Sequence, residues 1–416
     1  MKELTFKIGT VEESISAEEK NIIAVLNSSF QKENPDEEKI INDALDHPIG
    51  TESFASLFPP HESIAIIISD ITRPLPSSRI LPILLKRLYA LGIQDEDITI
   101  VVALGSHRKE TEEELKTLVG QEIYDHIKVV NTGTMGFTHL GETKQGTPVD
   151  IDTLVVNAKH RICIGNVEYH YFAGFSGGAK AIMPGCSTPK AIEKNHRFMV
   201  SKDARAGRLE GNPVRDDLEE AAGMLKPDLI LNVVLNTHKQ VTYAAAGDMI
   251  KAHRDACNVL AENYLSPIPE TADIVIVSQG GAPKDLNLYQ TQKALANAEH
   301  AVKDGGIIIL MGACEEGFGN LVFEKWMKTY KDPDQSIQAL FDHFQLGAHK
   351  AAAIAMVRKK AEIFFVSNMD EAEVRKTFLI PFSSLPDAFK AAMIEKGKNA
   401  TIIAMPYGGS TLPVVI

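Results

Sequence analysis

The sequence has little cysteine and no long apolar segment. Its four cysteines are scattered over 416 residues and form no CxxC pair, which argues against a disulfide framework and against a zinc site built from thiolates. No apolar run is long enough to span a bilayer, and the N-terminus alternates like a strand and lacks the apolar core of a signal peptide. We therefore expect a cytoplasmic protein that has no membrane partner.

Basic residues are also in the minority. Lysine and arginine together number 43 against 55 aspartate and glutamate residues, which gives a formal net charge of −12 at pH 7. This balance argues against a nucleic acid as a partner, although it permits local basic clusters that bind small anions. Because 44% of the residues are hydrophobic, a chain of this length can build the cores of two or three domains.

Several common sequence signatures are missing as well. The chain contains no GxGxxG, no GxxxxGKS/T and no HExxH, so the sequence does not favour a Rossmann dinucleotide site, a P-loop or an HExxH metalloprotease. The segment GFSGG does not fit the GxSxG turn of serine hydrolases, because Ser176 is followed directly by two glycines. A functional site therefore has to be inferred from other residue patterns.

What the sequence does contain is a regular alternation of short apolar strands and amphipathic helices. Residues 63–69, 97–104 and 161–167 are apolar runs typical of buried strands, and residues 77–91 follow a helical pattern that Gly92 ends. This rhythm predicts an α/β fold with mainly parallel sheets.

The prolines of segment 266–270 indicate a domain boundary. They interrupt a helical pattern that ends near Tyr264, and the alternation of strands and helices restarts after them. We predict an N-terminal α/β domain at 1–268 and a C-terminal α/β domain at 271–402. The tail at 403–416 is expected to pack back on the first domain.

The stretch 165–180, GNVEYHYFAGFSGGAK, is the most informative part of the chain. His170 precedes Lys180 by ten residues, and the glycines between them allow a ligand to approach backbone amides closely. If a helix begins near Ser176, its unpaired N–H groups form an anion site, and Lys180 lies one turn into that helix. The pattern predicts that a phosphorylated molecule binds here and that Lys180 reacts with it.

Further segments carry polar residues at predicted strand ends, where α/β sheets bind ligands. Arg73 in DITRP offers a planar fork for a carboxylate or phosphate, and His107 in GSHR is a candidate acid/base. In GGAPKDLNLYQTQK, Gln290 and Lys293 share a helical face and Tyr289 lies next to Lys293, which suits a substrate carboxylate. The alternatives are a solvated turn, a structural histidine and a solvated helix face, respectively.

Taken together, these segments resemble the nickel-dependent lactate racemase family, whose members isomerise 2-hydroxy acids. The resemblance rests on DITRP, GSHR, HYFAGFSGGAK, the Asn-His pair that ends at His196, and GGAPKDLNLYQTQK, and it covers most of the chain. It implies two α/β domains with the active site in the interdomain cleft and with the cofactor bound by the N-terminal domain. The implied cofactor is a nickel-pincer nucleotide, a pyridinium-3,5-bisthiocarboxylic acid mononucleotide that holds Ni(II).

The resemblance also implies a role for each residue of these motifs. Lys180 is tethered to the cofactor as a thioamide and His196 is the metal ligand, although a helix-surface histidine is the alternative for His196 taken alone. His107 and His170 are the paired acid/base residues. The residues expected to bind the substrate are Arg73, Tyr289, Gln290 and Lys293. The residues expected to contact the cofactor besides Lys180 are Asp70, Ile71, Thr72, Arg73, Ser176, Gly177 and Gly178.

The chemistry of such an isomerase explains why these residue types are needed. The C2–H of a 2-hydroxy acid is poorly acidic, because the neighbouring carboxylate resists a carbanion, so the hydrogen leaves more easily as a hydride that only a cofactor can accept. A histidine removes the hydroxyl proton, and the planar 2-keto acid takes the hydride back on either face. The expected partners are the small-molecule 2-hydroxy acid and the proteins of cofactor biosynthesis, without which a recombinant preparation lacks the cofactor.

Segment 345–358 departs from the pattern expected of a lactate racemase. It is rich in alanine where the family is expected to place an aromatic residue near the substrate. Lactate, malate, a longer aliphatic hydroxy acid and an aldonic acid are therefore all open as substrates. His349, Lys350 or Arg358 contacts a second polar group of the substrate or, alternatively, belongs to a solvated surface.

Two other functional classes stay open at this point. One is a zinc hydrolase in which His107, His170 and His196 bind the metal and water takes the fourth position. The other is a protein that binds the nucleotide without catalysing a reaction. A zinc hydrolase would have no evident use for Lys180 and the glycine turn. A protein that only binds the nucleotide would have no evident use for a pair of acid/base histidines.

Overall fold

The computed structural model describes residues 1–27, 34–236, 238–345 and 347–416. Its contacts divide the chain into two compact units. The central unit is Phe30–Asn263, and the split unit combines Met1–Ser29 with Tyr264–Ile416. No helix in the described part of the chain combines the length and the apolar character needed to cross a membrane.

Strands and helices are numbered here in chain order. The strands are β1 Lys2–Ile8, β2 Val11–Ala17, β3 Ile22–Val25, β4 Ile64–Ser69, β5 Ile98–Ala103, β6 Lys128–Asn131, β7 Phe137–Glu142, β8 Pro148–Asp152, β9 His160–Asn166, β10 Tyr169–His170, β11 Gly174–Phe175, β12 Leu229–Leu235, β13 Val241–Gly247, β14 Leu265–Ile268, β15 Ala272–Ser278, β16 Val302–Met311, β17 Ala361–Val366, β18 Ile380–Phe382, β19 Ile402–Met405 and β20 Leu412–Val415. The helices are α1 Glu37–Asp46, α2 Phe54–Leu57, α3 Ser77–Ala90, α4 Glu112–Val119, α5 Gln121–His126, α6 Thr153–Asn157, α7 Pro189–His196, α8 Pro213–Leu225, α9 Lys251–Tyr264, α10 Leu288–Ala298, α11 Leu321–Thr329, α12 Pro333–Asp342, α13 Ala348–Lys360, α14 Glu371–Val374 and α15 Leu385–Lys396.

The central unit is built on a six-stranded sheet of order β13-β12-β9-β4-β5-β6, which is parallel except for β13. Strand β4 reads IAIIIS and is buried along almost its whole length, as expected of a parallel strand covered on both faces. Helices α1, α3 and α4 contribute Ile41, Leu84 and Leu118 to the apolar core on one face. The carboxyl ends of β4, β5 and β9 meet at one edge of the sheet, so the segments that follow them begin close together.

The split unit contains a second six-stranded sheet, of order β18-β17-β16-β15-β19-β3, and all of its neighbouring strands are parallel. One face is covered by α10, α11 and α13. The other face is covered by α15 and by the β1–β2 hairpin. The expected α/β fold with mainly parallel sheets is therefore confirmed.

The division into units requires a correction of the predicted domain limits, which were 1–268 and 271–402 with a tail at 403–416. The N-terminal strand β3 pairs with β19 in the sheet of the split unit. The tail belongs to the split unit, because β19 lies inside its sheet and β20 pairs with β14 of the same unit. Strand pairing over such a sequence separation leaves no trace in local periodicity, which is why the sequence did not reveal it.

Leu84→Ala provides a test of the central core. Leu84 is fully buried on α3, so the substitution should lower the free energy of unfolding by about 2–5 kcal/mol through lost burial and a residual cavity. Urea denaturation measures the change. Lys86→Ala on the same helix is the control, because the Lys86 side chain is 78% exposed, and it should change the free energy by no more than about 0.5 kcal/mol. Equal effects of the two substitutions would contradict this core.

Candidate functional site

Asp70 and His107 form a hydrogen-bonded pair where β4 and β5 end. Asp70 Oδ2 lies 2.5 Å from His107 Nδ1, and Asp70 Oδ1 accepts from the backbone N and Oγ1 of Thr72 at 2.9 and 2.5 Å. The Asp70 side chain is 3% exposed, whereas that of His107 is 38% exposed. A carboxylate on Nδ1 fixes the imidazole with Nε2 as its proton-accepting atom, as in hydrolase triads.

Asp70 is ionised in this arrangement. Burial by itself would raise the pKa of Asp70, but hydrogen bonds from His107 and Thr72, together with the charges of His107 and Arg73, lower it below its ordinary value. Both carboxylate oxygens are engaged within the protein, so Asp70 acts here on His107. The neighbouring Ile71 N–H donates to Glu110 Oε1 at 3.1 Å, which holds the turn in place.

The ring of Phe172 brings together three residues that the sequence analysis singled out. The His170 ring meets it edge-on with centroids 4.5 Å apart, and the His196 ring does so at 4.9 Å. Lys180 Nζ lies 5.6 Å from the centroid of the Phe172 ring. We call these four residues the Phe172 cluster. It joins the loop after β9 to the one-turn helix Gly178–Ala181 and to the end of α7.

His170 is held as a neutral ring. Its Nδ1 accepts a hydrogen bond from the Ala173 N–H at 3.2 Å, so the neutral imidazole carries its proton on Nε2. Burial lowers the pKa of His170 well below its usual value, and the positive charges of Lys180 and Arg73 lower it further. In this conformation His170 is a hydrogen-bond donor through Nε2.

Lys180 lies in a cationic and poorly hydrated environment. Burial lowers the pKa of its amine well below the usual value, and the charges of Arg215 and Arg73 act in the same direction. Among the residues that the structure describes, no carboxylate lies within ion-pair distance of Lys180. A lowered pKa increases the uncharged fraction of the amine at a given pH, and the uncharged amine is the nucleophilic form.

His196 is oriented by its chain neighbour. Its Nδ1 lies 3.0 Å from Asn195 Oδ1, which assigns the proton to Nδ1 and the lone pair to Nε2. Asn195 is fixed in turn, because its Nδ2 donates to Asp217 Oδ2 at 2.8 Å and to the Val214 carbonyl at 3.1 Å. This is the kind of second hydrogen bond that orients a metal-binding histidine.

The helix predicted to begin near Ser176 is a single turn, Gly178–Ala181, and two backbone amides of this segment are already used within the protein. The amide of Ser176 donates to the Glu168 carbonyl at 2.8 Å, and that of Gly178 donates to Asn232 Oδ1 at 2.8 Å. The Ser176 hydroxyl donates to the Asn166 carbonyl.

The glycines of this turn are required by close packing. Gly177 and Gly178 have φ values of 76° and 57°. A Cβ on Gly177 would lie 2.7 Å from Asn232 Oδ1, and one on Gly178 would lie 2.8 Å from the His253 ring. The glycines thus let the turn that carries Lys180 pack on β12 and α9.

The sequence analysis missed two buried residues that hold this region. Arg215 is fully buried, and its guanidinium donates to the carbonyls of Ala173 (3.0 Å from Nε) and Phe175. His253 is also fully buried, and its Nε2 lies 2.8 Å from the Ser176 carbonyl. The available signal was the position of Arg215 in the first turn of the helix that begins at Asn212-Pro213.

The predicted substrate residues Tyr289, Gln290 and Lys293 lie on α10 of the split unit. Asn287 caps this helix by accepting from the Gln290 N–H at 3.1 Å. The Tyr289 ring packs edge-on against Phe323, with centroids 5.6 Å apart. Tyr289 is half-buried, whereas Lys293 is exposed.

The solvated-surface alternative for His349 and Lys350 is wrong. Both residues are buried on α13, with 7% and 5% exposure. Burial lowers the pKa of His349 to about 3. Lys350 Nζ lies 3.1 Å from Gln292 Oε1 and 4.8 Å from the Tyr289 ring centroid. Arg358, in contrast, pairs with Glu362 at 3.2 Å.

A zinc site made of His107, His170 and His196 is not formed. Within the described ranges of the chain, no three histidine, cysteine, aspartate or glutamate side chains are grouped closely enough to hold a metal ion. The arrangement instead offers one oriented imidazole at His196 and a separate Asp–His pair.

Comparisons with known proteins match nearly the whole chain. Residues 8–207 match the model of the lactate racemase N-terminal domain, and residues 268–414 match that of the lactate racemase C-terminal domain. The lactate racemase of Thermoanaerobacterium thermosaccharolyticum is 33% identical over 391 residues, which cover 92% of this chain and 91% of the relative. The lactate racemase of Lactiplantibacillus plantarum is 33% identical over 383 residues, which cover 89% and 90%.

Solved structures give the same result. The lactate racemase apoprotein of T. thermosaccharolyticum superposes with a TM-score of 0.90 at 31% identity, covering 99% of this chain and 100% of that one. A Thermotoga maritima protein superposes with a TM-score of 0.65 at 18% identity, covering 91% and 98%. The second match is evidence for the fold alone.

Asp70→Asn tests the pair with His107 through its pH dependence. Because the folded pKa of Asp70 lies below its unfolded value, the carboxylate stabilises the fold above the unfolded pKa of about 3.9 and loses this effect as the pH falls through the folded pKa. The substitution should cost about 1–3 kcal/mol at pH 7, and the difference from wild type should shrink below about pH 4. Urea denaturation between pH 3 and 7 measures it. The exposed Asp43→Asn controls for the loss of one charge, and a difference for Asp70→Asn that grows toward low pH would contradict the assignment.

Proposed function

The chain belongs to the lactate racemase family, and from this premise we propose that it is a racemase or epimerase of a 2-hydroxy acid that works by reversible hydride transfer at C2. The family makes the chain an isomerase. The observation that carries the finer proposal is the Phe172 cluster, in which a lysine with a lowered pKa and two histidines meet around one ring.

We propose a nickel-pincer nucleotide as the cofactor, tethered to Lys180, with His196 as the protein's metal ligand. The residues present fit this group. Burial and the charges of Arg215 and Arg73 lower the pKa of the Lys180 amine, which suits a nucleophile that must meet an anionic nucleotide. A single oriented imidazole suits a metal whose other donors come from the cofactor. When bound, the group supplies the hydride acceptor that no amino-acid side chain provides.

His107 is proposed to take the proton of the substrate hydroxyl while the C2 hydrogen departs as hydride. The hydrogen bond of Nδ1 to Asp70 leaves Nε2 to accept this proton, and the carboxylate stabilises the imidazolium that results. The substrate becomes a planar 2-keto acid. Return of the hydride to the opposite face of the keto carbon, together with a proton that the imidazolium gives back to the oxygen, gives the other stereoisomer.

His170 is proposed to serve the hydroxyl of the other stereoisomer. Its Nε2–H can donate to the oxygen of the 2-keto acid in the conformation described above. Accepting a proton at Nε2 requires the ring to change tautomer, which releases the bond from the Ala173 N–H. His170 and His107 therefore begin the reaction in different roles, one as donor and the other as acceptor.

For the substrate carboxylate we propose Arg73, with Tyr289, Gln290 and Lys293 as predicted from the sequence. The backbone N–H of Arg73 donates to the Asp70 carbonyl at 3.1 Å, which fixes the start of its exposed side chain. A carboxylate held at one end lets the rest of the 2-keto acid turn between the two additions. Lactate, malate, longer aliphatic hydroxy acids and aldonic acids all satisfy this chemistry.

The proposed protein partners follow from the need to load the cofactor onto the chain. We propose that cofactor-biosynthesis proteins meet it in the cytoplasm and deliver the nucleotide to Lys180. The proposed cofactor contacts also include Ile71, Thr72, Gly177 and Gly178. Because the Gly178 N–H is already used within the protein, the glycines would contact the cofactor through other atoms.

Lys180→Ala tests the tether. Protein made in a host that synthesises the cofactor should show an added intact mass, and the Lys180→Ala protein should lack it because no nucleophilic amine is left. The exposed Lys190→Ala on α7 is the matched control and should keep the added mass. A wild-type protein that racemises a 2-hydroxy acid without any added mass would refute the covalent tether.

His107→Gln tests the acid/base assignment. Glutamine keeps a polar side chain but cannot take the proton, so kcat for racemisation of a chiral 2-hydroxy acid should fall about 10²–10⁴-fold. The cofactor mass and the thermal midpoint should stay close to those of wild type. His139→Gln changes an exposed histidine paired with Asp150 at 2.7 Å and should leave the rate unchanged. Full activity of cofactor-loaded His107→Gln protein would rule out this role.

A further inference from the structure

Arg215 is a fully buried guanidinium next to the Phe172 cluster. We propose that Arg215 is a positioning residue that holds the loop around Lys180 and supplies a fixed positive charge which keeps the Lys180 amine ready for acylation. The inference rests on the proposed function, because it concerns the lysine that is to carry the cofactor. Neither Arg215 nor this role was among the expectations that the resemblance to the family gave.

The first turn of α8 holds the backbone of the Phe172 cluster. Arg215 Nε donates to the Ala173 carbonyl at 3.0 Å, and its Nη2 donates to the Phe175 carbonyl. Asn212, which caps the same helix, donates from Nδ2 to the Phe172 carbonyl at 2.9 Å. Side chains of one helix turn thus bind three carbonyls of one loop.

The same helix also contacts the residues that carry the lysine. Helix α8 packs against the one-turn helix Gly178–Ala181, which contains Lys180. The β10–β11 pairing joins His170 to Gly174 across the loop. Holding Ala173 and Phe175 therefore fixes both sides of the cluster, the histidine side and the lysine side.

The charge of Arg215 is only partly compensated. Its Nη1 has no hydrogen-bond acceptor among the described residues, and the carboxylate of Glu219 lies 3.6 Å from it. Glu219 is engaged mainly by Arg254, at 2.7 and 2.9 Å. Burial lowers the pKa of Arg215 to about 10, which leaves the guanidinium charged at neutral pH.

Several charged or titratable groups surround Lys180. They are Arg215 from α8, Arg73 from the turn after β4, His170 from the loop after β9 and His253 from α9. Both arginines carry a positive charge at neutral pH, and the charge of the buried one is screened less by salt. Burial and these two charges lower the pKa of the Lys180 amine.

An acylation needs this uncharged state. The amine nitrogen forms the new N–C bond with its lone pair, the bond from the acyl carbon to its leaving group breaks, and the nitrogen then releases a proton. An ammonium has no lone pair to contribute. Loss of the loop contacts alone would also hydrate Lys180 and raise its midpoint, so charge is separated from support by variants that change one and keep the other.

The experiment is trace acetylation of cofactor-free protein with acetic anhydride between pH 6 and 10. Peptide mass spectrometry gives the acetylated fraction of Lys180 relative to that of the exposed Lys190 in the same molecule. In Arg215→Met the pH midpoint for Lys180 should rise by at least about one unit, which corresponds to about tenfold less labelling at pH values below the wild-type midpoint. Arg215→Lys keeps a charge and should retain a midpoint close to that of wild type. An unchanged midpoint in folded Arg215→Met protein would overturn the proposal, as would an equal rise in Arg215→Lys.

Circular dichroism and thermal unfolding establish whether Arg215→Met folds. If it does not, Glu219→Gln carries the test, because this substitution leaves both carbonyl bonds of Arg215 in place and removes the carboxylate near Nη1. The midpoint for Lys180 should then fall below that of wild type, and an unchanged midpoint would overturn the proposal. These measurements need no cofactor and no activity, so their failure is distinct from failure of the proposed function, which the intact-mass experiment decides.

Discussion

The bonds from the first turn of α8 to the carbonyls of residues 172–175 are the constraint on which the candidate site depends. Phe172 can gather His170, Lys180 and His196 only if its own backbone is fixed. A loop of this kind has few strand bonds of its own, since β10 and β11 are two residues each. Buried side chains therefore supply the order that longer strands would otherwise provide.

The electrostatics of the site follow from the same buried groups. Burial and nearby positive charges lower the pKa of both His170 and Lys180. In the same unit the carboxylate of Asp70 gives His107 an anionic partner. Two histidines of one sequence thus have opposite surroundings, and this difference would allow a proton acceptor at His107 and a hydrogen-bond donor at His170 to coexist at one pH.

Local patterns in the sequence were sufficient for the parts of the fold that are continuous in the chain. The apolar runs at 63–69 and 97–104 are β4 and β5, and the helical pattern at 77–91 is α3, because burial on both faces and helical periodicity are local properties. The motif around HYFAGFSGGAK likewise indicated that His170 and Lys180 belong together.

The features that the sequence did not reveal depend on contacts between residues that are distant in the chain. The glycine turn looked like an anion site because Asn232, which takes the Gly178 amide, lies on a strand more than fifty residues away. Arg215 was missed because backbone carbonyls, which have no sequence signature, satisfy it. The N-terminal strand was assigned to the wrong domain because its partner β19 lies near the other end of the chain.

The pairing of β3 with β19 also has a consequence for synthesis of the chain. The ribosome makes β1, β2 and β3 first, yet the sheet that receives β3 is completed only when residues 402–405 emerge. The central unit, whose strands are contiguous in the sequence, can fold in the meantime, as domains generally do during translation. Throughout this interval the nascent N-terminal segment has an unpaired strand edge. An unpaired edge can pair with another chain, so this is the period when incorrect association is most favoured.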